Sequence, residues 1–196
     1  MLSIQADSSV KLDPRVKRTR QLLIQALIDL MKEKGFQTIS VQNLSERAGI
    51  NRATFYAHFP DKFALLEYFI REGFQREIDE RMLNACQFSL QNLRTLIIAV
   101  CEFVTKVHSN CVPSQNQYES LIESEIKNQV SGLMLKWLKQ VGTDPSLELT
   151  ATAVSWAIYG LASQWSHDKD RPAVEVFADQ VLPMISANFN LALEIP

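Results

Sequence analysis

The chain has 196 residues, a hydrophobic content of 46% and a formal net charge of −2, values that are ordinary for a soluble globular protein. This length suits one or two small domains with enough apolar residues to form a core. The longest apolar run, residues 96–101, is too short to span a bilayer, and the first residues lack the apolar segment of a signal peptide. Three widely spaced cysteines argue against a disulfide framework. We therefore expect a cytoplasmic protein that does not insert into a membrane.

Charge is distributed unevenly along the chain. Residues 11–62 contain ten lysines and arginines against five acidic residues, whereas residues 76–196 contain nine basic and fourteen acidic residues. A basic first part attached to an acidic remainder is typical of a domain that meets phosphates while the rest of the protein stays away from them. The pattern favours a nucleic-acid partner.

The first predicted helix begins at Pro14 and runs to about Lys34, where Gly35 ends it. Residues 1–13 lack periodicity and are predicted to be a flexible tail. Lys17, Arg18 and Arg20 lie in the first turns of the helix, where cations oppose the helix dipole. Binding of an external anion such as phosphate would explain them, and a merely solvated face is the alternative.

Residues 40–62 predict two short helices joined by a tight turn. Ser40 is a candidate N-cap for the first helix, and Gly49 suits the left-handed conformation that ends it. Asn51 is a candidate N-cap for the second helix, which Pro60 ends before a further helix begins at Lys62. Helix, glycine turn and helix form the layout of a helix-turn-helix, whose second helix enters the DNA major groove.

The second of these helices has an unusual composition for a structural surface helix. Phe55 and Phe59 are spaced to face inward. The other side offers a guanidinium, a small side chain that permits close approach to bases, a hydroxyl, a phenol and an imidazole, from Arg52, Ala53, Thr54, Tyr56 and His58. A surface helix without a binding role more often carries glutamate and lysine.

The remaining sequence predicts further helices and no strands. Helical spacing of apolar residues indicates helices over residues 62–82, 89–108, 146–166 and 172–193, and one long helix or two over residues 115–141. The helix that starts at Lys62 follows the second helix of the turn motif directly, so a shift along its axis could carry a ligand signal. The expected fold class is therefore all-α, with about nine helices.

The stretch from Ser40 to Lys62 resembles the TetR family of bacterial transcriptional regulators. The resemblance rests on Ala48-Gly49, on the run Arg52-Ala-Thr-Phe-Tyr-Ala-His-Phe59 and on Asp61-Lys62, and it is strong from residue 14 to about residue 75. It implies a helix-turn-helix DNA-binding domain over residues 14–62 and a helical ligand-binding and dimerisation domain over residues 63–196. It also implies a homodimeric repressor that binds a palindromic operator on double-stranded DNA and is released by a small-molecule inducer.

The resemblance assigns roles at the DNA end. Arg52 and Ala53 are expected to contact base edges, since arginine can bind guanine through two hydrogen bonds and alanine can meet a thymine methyl group. Phosphate contacts are expected from Ser40, Thr54, Tyr56, His58 and Lys62, with Gln42, Arg47, Lys17 and Arg18 as further candidates. The ring of Tyr56 could instead pack inward.

The sequence of the second domain gives fewer indications of function. Aromatic candidates to line a ligand pocket are Phe103, Tyr118, Trp137, Trp156 and Tyr159, although such residues more often fill a core. A stripe of small residues, Ala153, Ala157 and Gly160, together with Val181 and Ile185, predicts a dimer interface; the alternative is that both helices pack wholly within one subunit.

Other functional classes receive little support. The sequence contains no glycine-rich phosphate loop, nucleophile elbow or paired histidine and carboxylate cluster, so an enzyme is not expected. His108 and Cys111 have a suggestive spacing but no second pair nearby, so no metal site or cofactor is predicted, and His108 and His167 are expected at the surface or at helix ends. The remaining alternative is a helical adaptor that uses the helix-turn-helix to bind a protein.

Overall fold

The computed structural model describes residues 13–81, 87–109, 119–140 and 146–193. Within these ranges all regular elements are helices, and the chain divides into two compact units, one ending at Leu66 and the other beginning at Glu67. The sequence placed the boundary after Lys62, four residues earlier. The predicted tail and Tyr118 lie outside the described residues, apart from Asp13.

The first unit contains three complete α-helices and a short turn. They are α1 (Pro14–Lys34), a 3₁₀ turn (Phe36–Thr38), α2 (Val41–Ala48) and α3 (Arg52–His58), and α4 (Lys62–Arg81) begins in this unit and ends in the next. Pro14 occupies the first turn of α1, and Asp13 accepts a hydrogen bond from the Arg15 amide at 2.8 Å as its N-cap.

The core of the first unit forms where α1 packs against α2 and α3. One face of α1 is buried, and Leu44 of α2 and Phe55 of α3 are fully buried with it. The larger apolar side chains of this core include Leu23, Leu27, Leu30, Met31, Phe36, Leu44, Phe55 and Phe59. Burial of an aromatic or leucine side chain contributes about 1.5–3 kcal/mol, so these contacts fix two helices that are too short to be stable alone.

The second unit contains α5 (Leu90–Ser109), α6 (Glu119–Leu138), α7 (Ser146–His167) and α8 (Val174–Leu193). Helix α7 packs on α5, α6 and α8, so it is in contact with neighbours on more than one side. Pro183 lies inside α8, where it cannot donate the usual backbone hydrogen bond. Arg94 of α5 joins α8 through two hydrogen bonds to the Asp179 carboxylate, at 2.6 and 3.0 Å.

None of the helices in the described ranges combines the length and the apolar character that crossing a membrane requires.

The turn between α2 and α3 yields a stability prediction. Gly49 has φ +67°, and a Cβ placed there would meet no atom within 4 Å, so Gly49→Ala tests backbone strain alone. We expect this substitution to lower the free energy of unfolding by about 1–2 kcal/mol, the cost of a left-handed conformation for an L-residue. The measurement is urea unfolding followed by circular dichroism.

Gly132→Ala is the matched control, because Gly132 lies in α6 without a positive φ and its Cβ would also meet no atom within 4 Å. This change should raise the free energy of unfolding by up to about 1 kcal/mol through helix propensity. Equal effects of the two substitutions would contradict the role given to Gly49.

Candidate nucleic-acid interface

Helix α2 is fixed at its start by a reciprocal capping box. The Asn43 amide donates to the Ser40 hydroxyl oxygen at 3.1 Å, and the Ser40 amide donates to Asn43 Oδ1 at 3.1 Å. Ser40 is exposed, and its own hydroxyl hydrogen takes no part in these two bonds. The residue is therefore the predicted N-cap, and its hydroxyl can still donate to an external acceptor.

The turn between α2 and α3 satisfies the backbone at both helix ends. The Gly49 amide donates to the Glu46 carbonyl at 3.2 Å, and the Ile50 amide donates to the Ser45 carbonyl at 3.0 Å. Asn51 Oδ1 then accepts hydrogen bonds from the amide of Thr54 at 2.7 Å and from its hydroxyl at 2.9 Å. Because the hydroxyl of Thr54 donates within this cap, it can meet a phosphate in this arrangement only through its oxygen or after rotation.

The outer face of α3 presents the side chains expected to reach DNA. Arg52 and Ala53 are exposed, and Tyr56 is 50% exposed with its ring edge-on to Phe55 at 5.6 Å. The Tyr56 ring therefore does not pack wholly inward, the alternative that the sequence left open. In the described part of the chain the Arg52 side chain makes no ion pair. This face combines a guanidinium, a small residue and a phenol on one short helix.

The end of α3 lies close to a cation from α1. The Arg20 guanidinium is 5.7 Å from the centre of the Phe59 ring, and His58 lies half-buried beside it. Burial, with a smaller contribution from the Arg20 charge, lowers the pKa of His58 below its usual value. Lys17 and Arg18 are exposed in the first turns of α1. Arg20 belongs to the cluster of cations predicted in these turns, and its contact with the Phe59 ring places it at the end of α3.

Lys62 has a different role from the predicted phosphate contact. Its ammonium donates to the backbone carbonyls of Phe36, Gln37 and Ile39 at 3.1, 2.9 and 2.9 Å, and lies 4.8 Å from the centre of the Phe36 ring. An ammonium has three hydrogens, and these carbonyls engage all of them. Burial also lowers the pKa of Lys62. The side chain ties the start of α4 to the 3₁₀ turn.

The two further candidates on α2 are engaged with acidic side chains. Gln42 donates to Glu46 at 2.9 Å, and Arg47 forms two parallel hydrogen bonds with the Glu33 carboxylate at 2.8 and 2.7 Å. A guanidinium paired in this way must give up its carboxylate to bind a phosphate. Gln42 and Arg47 are exposed but are less available than Arg52 or Arg18.

The aromatic residues expected to line a ligand pocket lie in different environments. Phe103, Trp137 and Tyr159 are buried, and Phe103 packs on Phe74 with ring centres 5.1 Å apart. Trp156 is 62% exposed, with the Lys127 ammonium 4.0 Å from the centre of its ring. A pocket of about 420 Å³ between α6 and α7 has mostly polar walls, and of the described candidates only Trp156 borders it.

The residues expected at a dimer interface differ in how exposed they are. Ala153 and Gly160 are exposed on α7, and Ala157 is partly exposed. Val181 is 7% exposed and Ile185 is 1% exposed, so these two α8 residues pack within their own chain and cannot offer a contact surface. The apolar side chains exposed on the same helices are Leu149, Trp156, Val176 and Met184.

Comparison with known proteins identifies relatives that match part of the chain. Residues 23–69 match the family model of the bacterial regulatory proteins, tetR family. The HTH-type transcriptional regulator EthR of Mycolicibacterium smegmatis is 35% identical over 111 residues, which cover 56% of this chain and 51% of EthR. Matches to curated relatives of this kind span between 18% and 51% of the relatives' length.

Solved structures show the same fold over most of the chain. A TetR-family regulator from Streptomyces coelicolor superposes with a TM-score of 0.64 at 19% identity, covering 92% of this chain and 99% of that one. The transcriptional regulator FadR from Bacillus subtilis, solved in complex with stearoyl-CoA, gives a TM-score of 0.57 at 14% identity, with coverage of 86% and 98%. The predicted all-helical TetR-like fold is confirmed.

The contacts of Lys62 predict a loss of stability on substitution. Lys62→Met should lower the free energy of unfolding by about 1–3 kcal/mol, because three backbone carbonyls lose a charged donor. Lys17→Met, at an exposed position of α1, should change it by less than about 0.5 kcal/mol. Urea unfolding of both variants measures the difference. If Lys62→Met leaves stability intact and weakens DNA binding, the originally predicted phosphate role is the correct one.

Proposed function

This chain belongs to the tetR family of bacterial regulatory proteins, and from that premise we propose that it is a sequence-specific DNA-binding transcriptional regulator. The family consists of regulators rather than enzymes, in agreement with the sequence-based expectation. The observation that carries the proposal is the outer face of α3, where Arg52, Ala53 and Tyr56 are exposed on a helix held at both ends by its caps.

On this proposal α3 lies in the major groove and its first residues read base edges. Arg52 would bind guanine O6 and N7, and Ala53 would approach a thymine methyl group. Contacts to phosphates would position the helix without reading sequence. We assign them to Ser40, Thr54, Tyr56, His58, Gln42, Lys17 and Arg18, and add Arg20. The excess of basic residues in this part of the chain supports the assignment.

We further propose that the regulator acts as a homodimer on a palindromic operator. Two copies related by a two-fold axis would present two recognition helices about one helical turn of DNA, or a multiple of it, apart. The exposed Ala153 and Gly160 and the partly exposed Ala157 on α7 support an interface there, because small residues let two helices approach closely. The exposed apolar side chains of α7 and α8 support it as well.

Release from DNA by a small molecule completes the proposal, with the protein acting as a repressor. The FadR structure contains stearoyl-CoA, so a protein of this fold can hold a small molecule. Helix α4 begins in the first unit and ends in the second, which supports a route for the signal along one helix. An effector must bind the DNA-free conformation more tightly to shift the equilibrium.

Selection of bound duplexes from a random pool at near-physiological salt tests DNA recognition. We expect a palindrome for the unaltered protein. Arg52→Ala should relax preference at one symmetric pair of positions, since one bidentate arginine contributes about 1–3 kcal/mol of base discrimination. Arg18→Ala is the matched control. It should weaken binding to all DNA sequences equally and reduce the slope of log affinity against log salt concentration by about 1.

Two results would contradict this prediction. If Arg52→Ala weakened binding to all DNA sequences equally, Arg52 would not contact bases. The adaptor alternative would be favoured by two findings together. Protein that has been refolded to remove bound ligand would enrich no DNA sequence, and it would bind a protein partner with an affinity that does not depend on salt.

The proposed dimer interface predicts that a large, charged side chain on α7 prevents dimerisation. Gly160→Arg should shift the protein to monomer in sedimentation analysis and weaken binding to a palindrome, because a guanidinium would be buried without a partner. Gly132→Arg on α6 is the control and should remain dimeric, since this exposed glycine lies outside the proposed interface. An unchanged dimer for Gly160→Arg would move the interface to another surface.

A further inference from the structure

Three helix ends of the second unit bring two histidines and a glutamate together. His108 is the next-to-last residue of α5, Glu119 is the first residue of α6 and His167 is the last residue of α7. One potential ligand atom from each side chain lies within 4.8 Å of those of the other two. The two imidazole rings are 4.8 Å apart, centre to centre.

Hydrogen bonds to the Nδ1 atoms support one tautomer for the two imidazoles. His167 Nδ1 lies 2.8 Å from the Ser163 carbonyl oxygen, which can only accept, so this nitrogen is the donor. If the Ser166 hydroxyl donates to the same carbonyl at 2.8 Å, its oxygen accepts from His108 Nδ1 at 3.3 Å. In this tautomer the Nε2 atom of each ring carries the lone pair that can bind a metal. Histidines that bind metals are oriented by such bonds from the opposite ring nitrogen.

The three side chains come from different helix ends and offer two kinds of ligand. Burial, followed by the nearby His167, lowers the pKa of His108, and the Glu119 carboxylate opposes this shift. The imidazoles offer nitrogen atoms and the glutamate offers a carboxylate oxygen, and these potential ligand atoms lie within 4.8 Å of one another.

We propose that His108, Glu119 and His167 form a binding site for a divalent transition-metal ion of the Zn²⁺ class. Two imidazoles and one carboxylate are borderline ligands that suit Zn²⁺, Co²⁺ or Ni²⁺, whereas Mg²⁺ and Ca²⁺ prefer oxygen ligands throughout. At bond lengths of about 2.0–2.1 Å, tetrahedral ligand atoms lie about 3.4 Å apart, so small side-chain rotations would close the site.

The fourth position of such a site would be open to water or to an anionic ligand. The bound ion would connect the C-terminal ends of α5 and α7 with the N-terminal end of α6, three helix ends that are separated along the chain. This proposal departs from the expectation of no metal site, and it combines His108 with Glu119 and His167 rather than with Cys111, which lies outside the described residues.

The test uses the full chain without an affinity tag, stripped with a chelator and titrated with Zn²⁺ against a competing indicator. We expect one ion per chain and a rise in the thermal unfolding temperature on binding. His167→Gln should weaken binding at least tenfold, and this exposed side chain is the safest to replace. Glu119→Gln should weaken it similarly.

The controls are chosen to match each ligand. His58→Gln removes the third histidine of the chain, and Glu123→Gln removes a carboxylate one turn along α6 that pairs with Lys127 at 2.8 Å. Both variants should retain the affinity of the unaltered protein. Ser166→Ala should weaken binding about tenfold by releasing the His108 ring, as loss of a supporting hydrogen bond does at other metal sites.

Substitution with Co²⁺ distinguishes this site from one that uses cysteine. We expect the visible bands of a tetrahedral ion with nitrogen and oxygen ligands, and no intense thiolate charge-transfer band. The proposal is overturned if binding is not saturable at micromolar Zn²⁺, if His58→Gln weakens it as much as His167→Gln, or if a thiolate band appears and is lost in Cys111→Ser.

Discussion

Helices of eight and seven residues cannot hold their shape unless something else satisfies their ends and covers one side. In α2 and α3 the ends are satisfied by Ser40 with Asn43, by the left-handed Gly49 and by Asn51, while Leu44 and Phe55 are buried. Because these few groups fix both helices, the exposed side chains of Arg52 and Ala53 are not needed for the caps or the core. Arg52, Ala53 and the exposed half of Tyr56 are therefore available to a partner.

Cations of the first unit have separate tasks that depend on their neighbours. Lys62 binds three backbone carbonyls, and Arg47 is paired with Glu33, so both contribute to the internal structure. Arg52 and Arg18 are exposed on the surface. A net positive charge in this region therefore overstates the number of groups that can meet phosphates, and the electrostatic attraction to DNA would come mainly from α1 and α3.

Local signals made the helices and the turn predictable. Capping residues, Gly49, Pro60 and apolar spacing act within a few residues, so sequence alone locates α2, α3 and their neighbours. The partners of Lys62 could not be predicted, because its carbonyl acceptors lie more than twenty residues earlier in the chain. The cluster of His108, Glu119 and His167 escaped prediction for the same reason: it exists only after three helices have packed.

The burial of Val181 and Ile185 changes the argument about dimerisation rather than removing it. A helix of the second unit needs an inner face for its own core, and in α8 these two residues supply it. The exposed apolar residues that remain, Leu149 and Trp156 on α7 and Met184 on α8, are then unexplained by the single chain. Large apolar side chains are costly to leave in water. Covering them with a second copy would explain why Ala153 and Gly160 beside them are small.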